Sequence, residues 1–520
     1  MNRIKPWAYD AILSLSASNL CFLRVWSDLL QMQQADMFYF KNPPQGVQVA
    51  ATCICIVLLA FFFYFVIRQL RRLLAAGRQT AVILIFFVVA FIAVNPTLNL
   101  LSHTIPAYGL LAKLTSRLGV VIGAILAGIG LVIMILVPRR VLTLSALILS
   151  LLTPLAPYCV VRGSWRALTV DASEYADKPL APKLQHATGD PPRIVWMIFD
   201  ELDYRLAFID RREDVLMPEF DRLRREALFA TNAHSPATDT IPSVPALLSG
   251  KSYVESSTHG PADLSLTSTG AGGFERWNAE DTIFATARRL GRNTAAVGFY
   301  IPYCRLLNDA LTDCYWVALG NSLNSLGQRL PQIVGNEFIS LFQGAGFSLF
   351  GQTLTVKRRV QSIQELLTNA RRMVTDPDQG LIFLHFPAPH APHPYDRFTR
   401  TFTKKNAPVA GYWDSLALAD VLLGDMRTAM TASGLWDRTT VLVSSDHPHR
   451  WAWKLDGKSD TRVPFLLKMP NQKAGAVYDK PLQTLCTRSL LEEVMEGDVN
   501  TSEEAVEFLD HPQWRTVSAR

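Results

Sequence analysis

Three short stretches of this 520-residue chain hold residue types that can do chemistry together. The first runs from His234 to Gly250, HSPATDTIPSVPALLSG. Within it Thr240 precedes a Pro-rich turn and the apolar run Val244-Pro245-Ala246-Leu247-Leu248. That run predicts the first turn of a buried helix, because Pro is tolerated near a helix start. A hydroxyl at a helix N-terminus sits beside unpaired backbone N–H groups, where negative charge is favoured. Such a Thr can attack a phosphorus or sulfur centre while the N–H groups hold the anionic oxygens. An N-capping Thr in a surface turn has the same local pattern.

The other two stretches end in groups that bind cations. Ile194-Val195-Trp196-Met197-Ile198-Phe199 runs into Asp200-Glu201, and Thr440-Val441-Leu442-Val443-Ser444-Ser445 runs into Asp446-His447. Each reads as a buried parallel strand delivering polar residues at its carboxyl end. In open α/β sheets, ligands collect beyond those ends. Asp200, Glu201, Asp446, His447 and Thr240 are therefore the candidate ligands of a divalent metal. Oxygen and nitrogen donors suit zinc first, with manganese or calcium as the other candidates. Acids that merely cap or pair at strand ends are the plain alternative. His390 and His393 stand among prolines after a third predicted strand, in a rigid loop at the same edge, and are candidate catalytic residues. His385 falls inside that strand, where a buried, hydrogen-bonded imidazole is the simpler role. His449 fits a metal or a surface position equally.

The elements that must position these groups follow from the pattern after Arg193. Helices are predicted over Asp281–Leu290, Val360–Val374 and Tyr412–Gly434. Strands are predicted over Thr294–Val297, Gly380–Phe386 and Thr440–Ser444. Alternation of this kind argues for a mostly parallel sheet with helices on both faces. Residues 321–352 are apolar and fit either a membrane-lying segment or an insertion over the site.

The first third of the chain has a different character. Of all residues 49% are hydrophobic, and most long apolar runs lie before residue 162. Val47–Ile67, Thr80–Leu101, Leu118–Val137 and Val141–Val161 are candidate spans, each near the ~20 residues a bilayer needs. Trp7–Leu30 is a fifth, despite Asp10, Arg24 and Asp28. The basic loop Arg68–Arg78 and the turn Arg139-Arg140 read as cytoplasmic. That places the N-terminus inside and everything after Val161 outside. The expected plan is a membrane region over 1–161 with about five helices, a linker over 162–190 and an α/β domain over 191–520. The formal net charge of +6 does not imply nucleic-acid binding, since basic residues flanking spans give the same sign. No glycine-rich phosphate loop and no internal repeat is present. Cys304 and Cys314 lie close together in the outside domain, where an oxidising compartment favours a disulfide.

Taken in order, these motifs resemble the sulfatase branch of the alkaline phosphatase superfamily, from about residue 192 to about 497. Met217-Pro218-Glu219-Phe220-Asp221-Arg222-Leu223 resembles that family's helix ahead of the nucleophile. Thr240, counted back from Leu247-Leu248-Ser249-Gly250, falls where sulfatases carry the Cys or Ser that becomes formylglycine. Leu384-His385-Phe386-Pro387-Ala388-Pro389-His390 resembles the histidine motif, with His390 at the active-site position. Ser445-Asp446-His447 resembles the late metal motif, and Arg462-Val463-Pro464-Phe465-Leu466 the strand after it. The departures are specific. Thr cannot become formylglycine, and Val244 stands where a sulfatase needs Arg. Pro448 replaces the usual Gly. Phe299-Tyr300 follows Gly298, where a Lys/His pair commonly grips sulfate.

A Thr at this position resembles the superfamily's phosphoethanolamine and phosphoglycerol transferases. The resemblance implies an inner-membrane, multi-pass enzyme with its catalytic domain outside the cytoplasm. It implies two-step transfer from a membrane lipid donor through a phospho-Thr intermediate to a hydroxyl acceptor, lipid or glycan. A hydrolase of phosphate or sulfate esters, and a catalytically silent scaffold of the same fold, are the alternatives.

Overall fold

The computed structural model describes residues 5–30, 34–87, 128–184, 192–268, 273–318, 329–341, 351–403 and 409–511. They fall into two compact units. One comprises residues 1–33, 42–172 and 321–354, and the other 34–41, 173–320 and 355–520.

In the first unit, α1 (Pro6–Cys21) and α2 (Leu23–Leu30) are separated at Phe22. The expected first span is thus two helices, each shorter than a bilayer crossing. The helix α3 (Gly46–Ala75) is long and apolar enough to cross a membrane. So is the run Pro138–Thr169, built from α4 (Pro138–Leu152) and α5 (Leu155–Thr169). This second run carries helix eight residues into the expected linker. Most of the predicted spans Thr80–Leu101 and Leu118–Val137 lies outside the described residues. Phe61, Phe65, Leu151 and Leu168 stand exposed on these helices, although exposed apolar faces of this size are costly in water.

The α/β unit is built on an eight-stranded sheet. Its strands are β1 (Arg193–Phe199), β2 (Leu228–Ala230), β3 (Asn293–Phe299), β4 (Asp313–Val317), β5 (Gln379–Phe386), β6 (Thr439–Ser445), β7 (Phe465–Lys468) and β8 (Ala476–Tyr478). Their order is β8-β2-β7-β6-β1-β5-β3-β4. Only β7 runs against the rest. The central strands are buried along their whole length, which is why they read as unbroken apolar runs. Side chains alternate between two cores. Trp196, Phe383 and Leu442 enter one, and Met197, Leu384 and Val443 the other. The helices α6 (Pro218–Glu226) and α7 (Thr240–Ser249) follow β1 and β2 in sequence. α7 covers the first face. The other face is covered by α9 (Gly351–Val374) and α10 (Gly411–Ala432).

The apolar insertion contributes α8 (Leu330–Ser340), which belongs to the first unit. There Thr52 of α3 donates to Glu337, 3.0 Å away. Phe338 of α8 also packs edge-on against Phe22, between α1 and α2 of the same unit.

The segment 34–41 lies between α2 and α3 in sequence but belongs to the α/β unit. Arg305, 1% exposed, holds it there. Its guanidinium donates to the carbonyls of Phe40 (2.8 Å), Lys41 (2.7 Å), Tyr175 (2.5 Å) and Pro261 (3.3 Å). Beside it, Cys304 and Cys314 form a disulfide with Cα atoms 5.6 Å apart. The other five cysteines are not disulfide-bonded. Thiol labelling of unreduced, unfolded protein is expected to modify five of the seven cysteines. Replacing both bridged residues by Ser should cost about 2–3 kcal/mol, as for a short closed loop. Seven labelled thiols without reductant would show that the bridge does not form.

Candidate active site

The sheet register determines which groups can meet. Phe199 lies opposite both Ser445 and Phe386. The residues that follow them therefore leave the sheet side by side at its carboxyl edge. Asp200 donates its N–H to the Phe386 carbonyl (3.0 Å) and accepts from the His390 N–H (3.1 Å). Ser445 Oγ donates to the Phe199 carbonyl (2.8 Å) and accepts from the Leu202 N–H (2.9 Å). Asp446 Oδ1 accepts two backbone N–H bonds, from Glu201 (3.2 Å) and His447 (2.9 Å). Tyr412 of α10 closes the turn after β1 by donating to the Glu201 carbonyl (2.7 Å) and accepting from Asp203 N–H (3.1 Å).

Those bonds leave one face of the acids without partners. Asp200 Oδ1, Asp446 Oδ2 and Thr240 Oγ1 are all buried side-chain oxygens that make no well-placed hydrogen bond among the described residues. His447 Nε2 lies between them, 3.7 Å from Asp200 Oδ1, 3.5 Å from Asp446 Oδ2 and 3.3 Å from Thr240 Oγ1. The last contact is at the outer limit of a hydrogen bond. His447 Nδ1 donates to the Pro448 carbonyl (3.0 Å), which leaves the Nε2 lone pair facing the acids. Asp200, Asp446 and His447 offer ligand atoms all within 4.8 Å of one another. Orphaned carboxylate oxygens and an inward imidazole lone pair form a donor set that fits a divalent cation. Burial, then Asp446 and Glu201, push the Asp200 carboxyl well above the usual range. Two like charges here need a cation or a proton.

Thr240 is the first residue of α7, and its N-cap is Asp239. It is therefore not a capping Thr, and at 9% exposure it does not lie in an exposed turn. The first bond of the helix runs from the Ser243 N–H to the Asp239 carbonyl. The N–H groups of Thr240 and Ile241 precede it, and Pro242 has none. Ser243 also donates its hydroxyl to the Asp446 carbonyl, so α7 is tied directly to the metal-motif turn. Val244, where a sulfatase needs Arg, is fully buried in the first core.

Glu201 is placed apart from the Asp200–Asp446–His447 group. Its left-handed backbone (φ 64°) turns the side chain the other way. There His449 Nδ1 lies 3.0 Å from one carboxylate oxygen and Arg450 donates to the other at 3.2 Å. Burial opposes its ionisation, but the His449 bond and nearby imidazoles prevail and hold the carboxyl at about 2. His449, stacked on Tyr412 at 4.0 Å between centroids, thus serves Glu201. Arg450 also pairs with Asp239, at the start of α7.

The remaining histidines separate by depth. His390 lies at the edge of the cluster, with Nδ1 2.6 Å from the Ala391 carbonyl. Burial lowers its pKa, and with Nδ1 committed to the Ala391 carbonyl, Nε2 is the ring nitrogen that remains for proton exchange. His393 is buried, with Nδ1 2.9 Å from Ser415 Oγ, and burial brings it to about 4. His385 sits under the site against the Tyr303 hydroxyl (2.7 Å) and is likewise held near 4 by burial. Tyr303 reaches it across Gly298, where a Cβ would come within 2.1 Å of the Tyr303 ring.

The charge imbalance gives a direct test. A carboxyl raised on folding binds its proton more tightly folded than unfolded. Metal-free stability should therefore fall as pH rises above the ordinary carboxylate range. Asp200→Asn should flatten that fall and raise the chelator-treated melting temperature by about 2–4 °C near pH 8. It should also remove most of the bound divalent metal, measured by plasma mass spectrometry. A lower chelated melting temperature, with metal content unchanged, would show that Asp200 is not part of the cation site.

No curated protein matches the chain. Among solved structures, a phosphonate monoester hydrolase of Agrobacterium radiobacter is 14% identical, covering 62% of this chain and 79% of its own, with a TM-score of 0.41. A protein in the alkaline phosphatase superfamily from Vibrio parahaemolyticus is 14% identical over 60% and 68%, with a TM-score of 0.36. The lipoteichoic acid synthase LtaP from Listeria monocytogenes is 12% identical over 58% and 72%, also at 0.36. The sulfatase family model matches residues 192–485, more than half of the chain, and takes in β1 with Asp200, the Thr240 helix and the Asp446-His447 turn. The chain belongs to the sulfatase family.

Proposed function

We propose that this protein is a membrane-anchored phospho-group transferase acting on a lipid head group, with Thr240 as its nucleophile. The observation that carries the reading is the Thr240 hydroxyl. It is buried at the start of α7, 3.3 Å from His447 Nε2, and has no better partner among the described residues. Asp200, Asp446, His447 and Thr240 would hold a divalent cation, zinc by donor preference. When bound, such a cation lowers the pKa of the Thr240 hydroxyl and offsets charge on the phosphoryl oxygens.

The chain's own residues divide the rest of the work. Thr240 Oγ1 loses its proton and attacks phosphorus, the bond to the lipid alcohol breaks, the proton passes by way of His390 Nε2 to the leaving lipid oxygen, and a phospho-Thr forms. The N–H groups of Thr240 and Ile241 face the anionic oxygens. In the second step an acceptor hydroxyl attacks phosphorus, the Thr–O–P bond breaks, and the hydroxyl proton passes to His390 Nε2. His390 is suited to that part because its Nδ1 is already committed to the Ala391 carbonyl. The buried His393 positions the loop through Ser415. Glu201, gripped by His449 and Arg450, holds the turn rather than the cation. Support for transfer over sulfate hydrolysis comes from Thr at the nucleophile position and Val244 in the core.

The exposed apolar helices of the first unit support a bilayer setting, with residues after Val161 outside the cytoplasm. The donor is then a membrane phospholipid, and the acceptor a lipid or glycan hydroxyl. A periplasmic-type phosphatase reporter fused near residue 191 should be active. An inactive one, with a cytoplasmic fluorescent reporter bright at the same site, would reverse the topology.

Thr240→Ala should lower turnover by about 10³-fold or more, and Thr240→Ser should retain part of it. Wild-type protein incubated with donor lipid should carry a phospho-adduct on the peptide spanning Thr240. Normal turnover by Thr240→Ala, or an adduct elsewhere, would remove Thr240 from the mechanism. Release of free phospho-alcohol with no transfer would identify a hydrolase.

A further inference from the structure

The α9 helix brings a buried cation to the active-site edge that neither the metal set nor the nucleophile helix accounts for. Arg359 is 6% exposed. Its guanidinium lies over the ring of Phe299, 4.3 Å from the centroid. One terminal nitrogen, Nη2, donates to the Ala391 carbonyl at 2.7 Å, directly beside His390. The other, Nη1, is buried and makes no hydrogen bond among the described residues. A guanidinium has five donors and cannot give up its charge, so a buried unsatisfied N–H is expensive and calls for an acceptor.

The neighbouring acids do not fill that need. Glu201 is occupied by His449 and Arg450, and Asp200 makes no ion pair with Arg359. They act on it only through space, as it acts on them and on His390. The guanidinium is therefore held rigidly by a ring below and a carbonyl beside, with one donor face left over. Phe299 ends β3, where a Lys/His pair is lacking. The ring that stands there is the platform on which the charge from α9 rests, so the missing cation is supplied from another element. The helix that begins at Thr240 packs on one face of the sheet, and the Arg359 helix on the opposite face.

We propose that Arg359 Nη1 binds the non-bridging oxygens of the transferred phosphoryl group, opposite the Thr240 nucleophile. The proposal rests on the phosphotransfer reading above and adds the residue that recognises the anion. A planar, permanently charged donor suits a tetrahedral oxyanion. Its anchorage by Phe299 and Ala391 means that little side-chain freedom is lost on binding.

The test uses full-length protein in detergent with its copurified metal, and inorganic phosphate as the probe. Wild-type protein should bind phosphate in calorimetric titration. Arg359→Gln should weaken binding at least tenfold, with metal content and melting temperature near wild type. Arg359→Lys, which keeps the charge but not the stacked plane, should fall between the two. It also carries the test if Arg359→Gln does not fold. Phosphate affinity unchanged in both variants overturns the assignment while leaving the phosphotransfer reading intact. Loss of metal together with phosphate in Arg359→Gln overturns it in favour of charge balance for the carboxylates. Wild-type protein that does not bind phosphate at all defeats the underlying reading instead.

Discussion

Asp446 Oδ1 is the atom on which the site depends. It accepts backbone N–H bonds from Glu201 and from His447, two residues beyond each of two adjacent central strands. That shared acceptor clamps the two turns together at the sheet edge. Its second oxygen is thereby left facing inward, next to Asp200 and His447. The left-handed backbone of Glu201 is part of the same constraint. A non-glycine residue at φ 64° persists only where its surroundings over-determine it, and here Asp446, Tyr412, His449 and Arg450 all hold it. The strain separates two neighbouring acids. Asp200 turns toward the cation cluster, and Glu201 toward an imidazole and a guanidinium. Adjacent carboxylates thus acquire opposite tasks, one kept without partners and one fully paired.

The departures from the sulfatase pattern also make physical sense together. A sulfatase matures its nucleophile and surrounds it with cations. This chain has Thr240 at that position, a hydroxyl that the proposed transfer would use without maturation, a buried Val244 in place of an Arg, and aromatic Phe299-Tyr300 in place of a basic pair. Tyr300 stacks on Tyr39 at 4.6 Å, and Phe299 carries Arg359. Positive charge has not been lost from the edge but moved to a helix on the other face, where it is buried and fixed.

Much of this was readable because it is local. The central strands are short apolar runs ending in polar residues, and burial on both faces of a parallel sheet produces that signature. Thr240 was legible from the apolar run behind it, although its burial and the capping role of Asp239 were not. Arg359, Arg450 and Tyr412 carried no signal, because each acts through a contact across more than 50 residues and lies in an ordinary helix or loop. The different surroundings of Asp200 and Glu201 were beyond reach for a related reason. A single backbone angle decides them, and neither residue type nor spacing reports that angle. The first predicted span failed as one helix because hydropathy averages over Phe22, where the backbone breaks.

Arg305 gives the α/β unit an unusual boundary. Its guanidinium binds carbonyls at Phe40 and Lys41, 265 and 264 residues earlier in the chain, as well as at Tyr175. The unit therefore does not begin at the linker. Cutting the chain at residue 191 would strip three of the four carbonyls from a buried cation and take Tyr39 from beside Tyr300. The same contact orders events during synthesis. Residues 34–41 are made long before Arg305 exists, so their carbonyls wait for the guanidinium that binds them. Closing so long a loop costs entropy that grows only slowly with its length. The α/β unit is thus completed late, by a piece of chain made early.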